Sequence, residues 1–370
     1  MSNQQLPPLL LGRRIDGCAS ARITIDGSEY INFFGSGYLA LSRVPEIRAA
    51  VQDALTRGVA FTRQVSAALG ATDSSFECVE RAGAIACATE TCVYFASGYL
   101  IGTVGLASLH GSFDLCLLDE FAHYSLTDAA KLTGLPSFAF AHCDPDSLRS
   151  VLKREVRAGQ RPLVITDGVF ATWGRVPPLR EYAEILGDCA GRLFIDESHA
   201  FGVVGDQGRG AAEYCGVDAL ATTGSTLSKA YCSHGAIMGC SAAVAERLQT
   251  LPPLRGASAG SPLSAAAGVA SLTYVADHPE LRSNLRATIN YFRTQLRRLG
   301  LSVVESPSAI VSFRWGNRAD MQALQRRLFA RGIHVYHSSY LGAGPEGVIR
   351  CSVFRDHSLQ DIDELCSALR

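Results

Sequence analysis

RLFIDESHA, residues 192–200, sets three large apolar side chains, Leu193, Phe194 and Ile195, directly before the polar run Asp196-Glu197-Ser198-His199. An apolar run this short, ending abruptly in polar residues, reads as a buried strand whose carboxyl end opens onto something polar. The pattern recurs on both sides of it. CVYFAS starts at Cys92, LCLLDE at Leu115, PLVITDG at Pro162 and AIMGCS at Ala236. Helical stretches such as DPDSLRSVLKREVRAG (144–159) lie between these runs. Apolar strands alternating with helices predict an α/β fold, a mostly parallel sheet covered on both faces. The charged face of 144–159 is an ordinary solvated helix face and is assigned no function.

The flanks read differently. Residues 1–45 form an N-terminal arm with a short strand in ITIDGSEYINFF, and VPEIRAAVQDAL (44–55) has helical spacing. Beyond the sheet, HPELRSNLRATINYFRTQLRRLG (278–300) is a long amphipathic helix. AIVSFRW, RADMQALQRRLFARG, IHVYHSS, VIRCSVF and SLQDIDELCSALR then alternate strand and helix. The expected organisation is an arm over 1–45, a large domain over 46–277 and a smaller α+β domain over 278–370.

Composition removes several classes of function. The net charge is −1 and no basic block appears, which excludes a nucleic-acid electrostatic footprint. MSNQQLPPLLLGRR lacks the basic-then-apolar order of a signal peptide, so the expected location is cytoplasmic. TCVYFASGYLIGTVGLASL (91–109) is uncharged and long enough for a membrane span, but its Ser-Gly-Tyr break reads as strand, turn and helix. The twelve cysteines show neither CxxC pairs nor a His at metal spacing. They read as small buried hydrophobes in a reducing compartment, with no metal site.

Polar groups stand just after the apolar runs, where open α/β sheets bind ligands: Ser97-Gly98-Tyr99, Asp119 through His123, Asp167-Gly168, Asp196 through His199, and Thr226 with Lys229. Each taken alone also fits a cap, a turn or a structural histidine. The lysine is harder to explain that way. Of 34 Lys plus Arg only three are lysines, and Lys229 sits between Ser228 and Ala230 with no acid close by. A site needs lysine rather than arginine when the amine must lose its proton and form a Schiff base, which guanidinium cannot do. A pyridoxal phosphate site also needs a carboxylate at the pyridine nitrogen, a phosphate cradle at a helix start and a flat group against the ring. Asp196, Ser97-Gly98-Tyr99 and His123 are the candidates, with His199 in reach of the ring hydroxyl.

DESHAFGVVGDQGRG (196–210) together with TLSKA (226–230) resembles the α-oxoamine synthase family. These are fold-type I pyridoxal phosphate enzymes that condense an amino acid with an acyl thioester and release carbon dioxide. YLALSRVPEIRAAVQDAL, SGY at 97–99, DEFAHYSL at 119–126, TDGVF at 166–170 and VIRCSVFRDHSLQDIDEL at 348–365 extend the likeness from about residue 30 to the end. The resemblance implies that Lys229 holds the cofactor and moves the Cα proton. Asp196 would pair with the ring nitrogen, His123 would stack on the ring and His199 would bond its phenolic oxygen. Ser97, Gly98, Tyr99 and Thr226 would bind phosphate, joined by Ser258 from a second subunit, so a homodimer with shared active sites is implied. Arg350 would grip the amino acid carboxylate. The acyl thioester would be carried on coenzyme A or on an acyl carrier protein.

The chain departs from the family pattern in four places. Ser36, in GSGYLAL, stands where an Asn near the substrate carboxylate is usual, and GVAFTRQVSAALGA (58–71) replaces a Gly-Gly-Ser-Arg segment. Ala171-Thr172-Trp173-Gly174 replaces Ser-Met-Asp-Gly, and His234 replaces a small residue. All four are expected around the amino substrate, which implies a donor other than glycine, as in the autoinducer synthase branch. Another fold-type I reaction, aminotransferase or aldol-type lyase, shares the lysine and the aspartate. A non-catalytic partner subunit typically loses the lysine.

Overall fold

The computed structural model describes residues 8–63, 69–70, 72–187, 189–255 and 260–370. The arm holds Ile15–Asp16 (β1), Arg22–Ile25 (β2) and Ser28–Asn32 (β3), all antiparallel. The single strand expected through ITIDGSEYINFF is therefore a hairpin. Asp26 and Gly27 turn it with φ of 50° and 81°, the paired left-handed conformation that a two-residue hairpin loop needs.

The central sheet is made of Thr91–Phe95 (β4), Leu115–Asp119 (β5), Ser137–Phe140 (β6), Pro162–Asp167 (β7), Arg192–Asp196 (β8), Ala221–Thr226 (β9) and Ala236–Cys240 (β10). Their order is β4-β10-β9-β8-β7-β5-β6. All neighbours pair in parallel except β10, which runs antiparallel to both β4 and β9. Every residue of β5 and β7 is buried, because helices cover both faces. A parallel strand in that position has no wet face, and its sequence is continuously apolar for that reason.

The uncharged 91–109 stretch is β4, a turn, and the helix Ile101–Ser108. Its glycines are packing residues. A Cβ on Gly105 would lie 2.0 Å from the Phe194 ring, so the helix rests directly on β8. No helix among the described residues is long and apolar enough to cross a membrane.

After the helix Glu280–Arg298 come Ile310–Phe313 (β11), Ile333–His334 (β12), Tyr336–Ser338 (β13) and Val348–Ser352 (β14). β11, β14 and β13 form an antiparallel sheet. β12 instead pairs in parallel with β3, Ile333 opposite Ile31. The arm and the carboxyl-terminal region thus share one sheet, and this brings the loop after β3 over the ends of the central strands.

Candidate active site

The carboxyl ends of β7 and β8 place two acids side by side. Asp167 and Asp196 are paired in register and both are buried. Asp196 Oδ1 accepts the Ser198 N–H at 2.9 Å, and its other oxygen takes no hydrogen bond from the described residues. Asp167 Oδ2 accepts the His123 N–H at 2.9 Å. Burial, reinforced by the charge of Asp196, raises the Asp167 pKa well above the usual carboxylate range.

Lys229 follows β9 on a closed turn. Leu227 N–H donates to Gly235 O at 2.9 Å and Cys232 N–H donates to Lys229 O at 3.0 Å. Gly235 has φ 94°, and a Cβ there would lie 2.5 Å from the Tyr94 ring. The Lys229 amine makes no hydrogen bond with the described residues and faces Asp196, Asp167 and Arg350. Enclosure lowers its pKa, Arg350 adds to this, and the two carboxylates oppose it. The protein thus pays in desolvation for an amine that loses its proton more easily than an exposed lysine.

His123 caps the helix Tyr124–Leu132. Its Nδ1 accepts the Ser125 N–H at 3.2 Å and lies 2.7 Å from Ser125 Oγ, so the neutral ring carries its proton on Nε2. Burial lowers its pKa, with Asp196 opposing and Lys229 adding. The rings of Tyr124, Tyr99 and Tyr340 surround it at 6.1, 6.3 and 6.5 Å. His199 Nδ1 lies 2.7 Å from the Tyr38 hydroxyl. Burial, with Lys229, Arg350 and His123 around it, lowers the His199 pKa well below the ordinary value.

Ser97 Oγ accepts the Tyr99 N–H at 3.2 Å, opening the turn that leads into the helix Ile101–Ser108. Gly98 lies against Thr226, where a Cβ would come within 2.8 Å of the threonine Cβ. Thr226 Oγ1 donates to Gly235 O at 3.0 Å and sits 2.8 Å from Ser228 Oγ. Ser97, Gly98, Tyr99 and Thr226 are thereby brought to one place beside Lys229. Ser258 lies outside the described residues.

Arg350, on β14, is buried. Its Nε donates to Ala171 O at 2.7 Å, and its Nη1 donates to Ser352 Oγ at 3.0 Å and Gly35 O at 3.5 Å. Ser36 follows Gly35 in that loop, and its carbonyl accepts the Tyr38 N–H at 2.9 Å. The four departures do not gather as expected. Ala171 and Gly35, the neighbour of Ser36, meet at Arg350. Thr172 Oγ1 instead donates to Leu341 O at 2.6 Å and Trp173 Nε1 to Gly342 O at 3.0 Å, so this pair ties the large sheet to the 339–347 loop. His234 is exposed, and its carbonyl accepts the Tyr94 hydroxyl at 3.0 Å. Residues 64–68 and 71 of the 58–71 segment lie outside the described residues.

Two residues absent from the expected set belong to this place, Tyr38 and Ser228, and Asp167, expected among the strand-end groups but given no role, joins them. Asp167 ends its strand just as Asp196 does, so the signal was there. Tyr38 carries no local signal. Nearby, Asp119 accepts the N–H groups of Phe121 and Cys143 and the His142 ring, all at 2.9 Å, and so braces the loop after β6.

These side chains fit one kind of group. An amine with a lowered pKa, a strand-end carboxylate with one oxygen taking no hydrogen bond from the described residues, a neutral imidazole and a helix-start cradle match a pyridine aldehyde carrying a phosphate. Fold and site define a fold-type I pyridoxal phosphate-dependent enzyme. Residues 30–369 match the family aminotransferase class I and II. The putative 8-amino-7-oxononanoate synthase of Nostoc punctiforme is 32% identical, spanning 96% of this chain and 91% of its own. The 8-amino-7-oxononanoate synthase of Geotalea daltonii is 30% identical, spanning 96% and 92%. Among solved structures, the Sphingomonas wittichii serine palmitoyltransferase shares the fold with a TM-score of 0.88. It covers 97% of this chain and 91% of its own at 24% identity. The chain belongs to the α-oxoamine synthases within the aminotransferase class I and II family, and is a pyridoxal phosphate-dependent acyltransferase.

Proposed function

We propose that this enzyme condenses an amino acid with an acyl thioester, with loss of carbon dioxide, to give an aminoketone. The observation that carries the reading is Lys229, whose amine has a lowered pKa and feels the charges of two strand-end carboxylates and of Arg350. Lys229 would hold the cofactor and Asp196 would meet its ring nitrogen, with His123 against the ring and His199 at its phenolic oxygen. The turn at Ser97-Gly98-Tyr99, with Thr226, would take the phosphate, joined by Ser258 of a second copy if the chain forms a homodimer. When bound, pyridoxal phosphate draws electrons from the amino acid Cα.

The remaining work falls to the chain. The Arg350 guanidinium grips the carboxylate, its fork steadied by Ala171 O and Ser352 Oγ. Ser36 lines the same end of the pocket. The Lys229 amine, its pKa lowered by desolvation, takes the Cα proton and later returns it. The burial of Asp196 and Arg350 strengthens their contacts while charge develops. The acyl group arrives on coenzyme A or on a carrier protein.

The test is the visible spectrum of the cofactor-loaded protein, titrated with a panel of amino acids, with and without an acyl thioester. One amino acid should shift the band, and the thioester should then release carbon dioxide. Amino-acid turnover that needs no thioester would replace this reading with an aminotransferase or aldol-type lyase. A protein that stays colourless with added cofactor would point to a non-catalytic partner subunit.

A further inference from the structure

Tyr38 is fully buried, and it is held from a distant part of the chain. Its carbonyl accepts the Arg355 N–H at 2.8 Å, and the next carbonyl, Leu39 O, accepts Arg355 Nε at 3.0 Å. The ring is thereby fixed with its hydroxyl 2.7 Å from His199 Nδ1. The Arg350 guanidinium lies near enough for its charge to act on that hydroxyl. Burial pushes the Tyr38 pKa up to about 12, and Arg350 acts in the opposite sense, so the phenol keeps its proton.

This arrangement has a direction. Arginine has only donors to offer. A cation also favours a hydroxyl that turns its oxygen towards it and its hydrogen away, which leaves the Tyr38 hydrogen for His199. The charged groups acting on His199 are Lys229, Arg350 and His123, all cations when protonated, and no carboxylate is among them. Burial first, and these charges after it, keep the imidazole neutral. A neutral imidazole whose Nδ1 accepts a hydrogen bond has its proton on Nε2.

We propose that Tyr38 is a positioning residue which, oriented by Arg350, locks His199 in the Nε2-protonated tautomer so that His199 presents an N–H donor to the pocket. Resting on the cofactor reading above, this assigns His199 as a donor to the ring oxygen. It also places that donor one side chain away from the arginine that takes the substrate carboxylate.

The experiment has two arms on the full-length protein. The first is nitrogen-15 NMR of histidine-labelled protein, with His199 identified by its loss in His199→Gln. We expect a protonated Nε2 and an unprotonated Nδ1 near neutral pH, and averaging between tautomers in Tyr38→Phe. A protonated Nδ1 in the wild type would overturn the proposal. The second arm is a pH titration of the visible band of the cofactor-loaded protein. A donor to the ring oxygen stabilises the form in which the imine has lost its proton. Tyr38→Phe should therefore raise the midpoint by about one pH unit, the size of one hydrogen bond. An unchanged midpoint, with the wild-type band present, also overturns it. Tyr38→Phe keeps the buried ring; if its melting temperature nonetheless falls, the wild-type NMR arm decides alone. A wild type with no visible band counts against the cofactor reading, and the NMR arm still decides the tautomer.

Discussion

At the scale of single residues, the site turns on charges gathered at the strand ends. Lys229 is half-buried with a lowered pKa, and an arginine there would stay charged at any working pH. Lys229→Ala should lower turnover by at least about a thousandfold, the scale of a lost acid–base and covalent group, with the melting temperature held. Lys229→Arg should not rescue it. Steady-state turnover beside a thermal melt checks both, and substantial turnover in either variant would remove Lys229 from its role. In the proposed reaction Arg350 would do two jobs, because its guanidinium already satisfies Ala171 O and Ser352 Oγ. Arg350→Ala should raise the amino acid KM roughly ten- to a hundredfold, the worth of a charge-assisted hydrogen bond. It should also lower the melting temperature, because buried acceptors lose their partner. An unchanged KM would move the carboxylate site elsewhere.

At the scale of elements, caps and seams hold the site in place. The helix Ser74–Cys87 ends on Ala88, a left-handed residue with φ 55° that is exposed. A side chain in that conformation costs energy that glycine does not pay. Part of the gain is lost to the freer unfolded chain, so Ala88→Gly should stabilise by roughly 0.5–1 kcal/mol. A urea melt with a lower midpoint than wild type would refute this. The Trp173 Nε1 to Gly342 O bond joins the loop after β7 to the loop before β14. Trp173→Phe removes that donor and keeps most of the ring. It should destabilise by about 1 kcal/mol, read by the same melt.

At the scale of the whole molecule, two histidines lie in the layer that joins the arm to the carboxyl-terminal region. His334 Nδ1 lies 3.0 Å from Asn32 Oδ1, and His357 stacks on Phe33 at 4.4 Å while its Nδ1 accepts the Phe354 N–H. Burial pushes both pKa values down to about 4. The unfolded imidazoles bind protons below about 6.5, so their stability contribution is full above that pH and is lost as pH falls towards 4. Glu80 and Glu197 work in the opposite sense. Burial raises them to about 7 and about 8, so they favour the folded state at low pH and less so as pH rises through those values. The net slope is a difference of opposed terms, and the test must compare slopes. His334→Gln should lose less stability between pH 7.5 and 5 than wild type, by about 2 kcal/mol, measured by urea unfolding at both pH values. Equal slopes would mean that His334 is not titrating on unfolding.

The sequence by itself determined the parallel sheet, the strand-end placement of Asp196, His199, His123 and Lys229, and the strand–turn–helix of 91–109. Each is a local pattern, because burial on both faces, a helix start or a turn leaves its mark on adjacent residues. The antiparallel β10, the hairpin at Asp26-Gly27 and the pairing of β12 with β3 went unread. An apolar run does not record its direction or its partner. Only the tertiary structure put Asp167 beside Asp196, Arg350 against Ala171 and Gly35, and Tyr38 on His199, 161 residues away. It also turned the Thr172 and Trp173 side chains to the 339–347 loop and left His234 exposed. Such contacts follow from how whole layers pack and how side chains interlock across them, and no stretch of neighbouring residues carries that information.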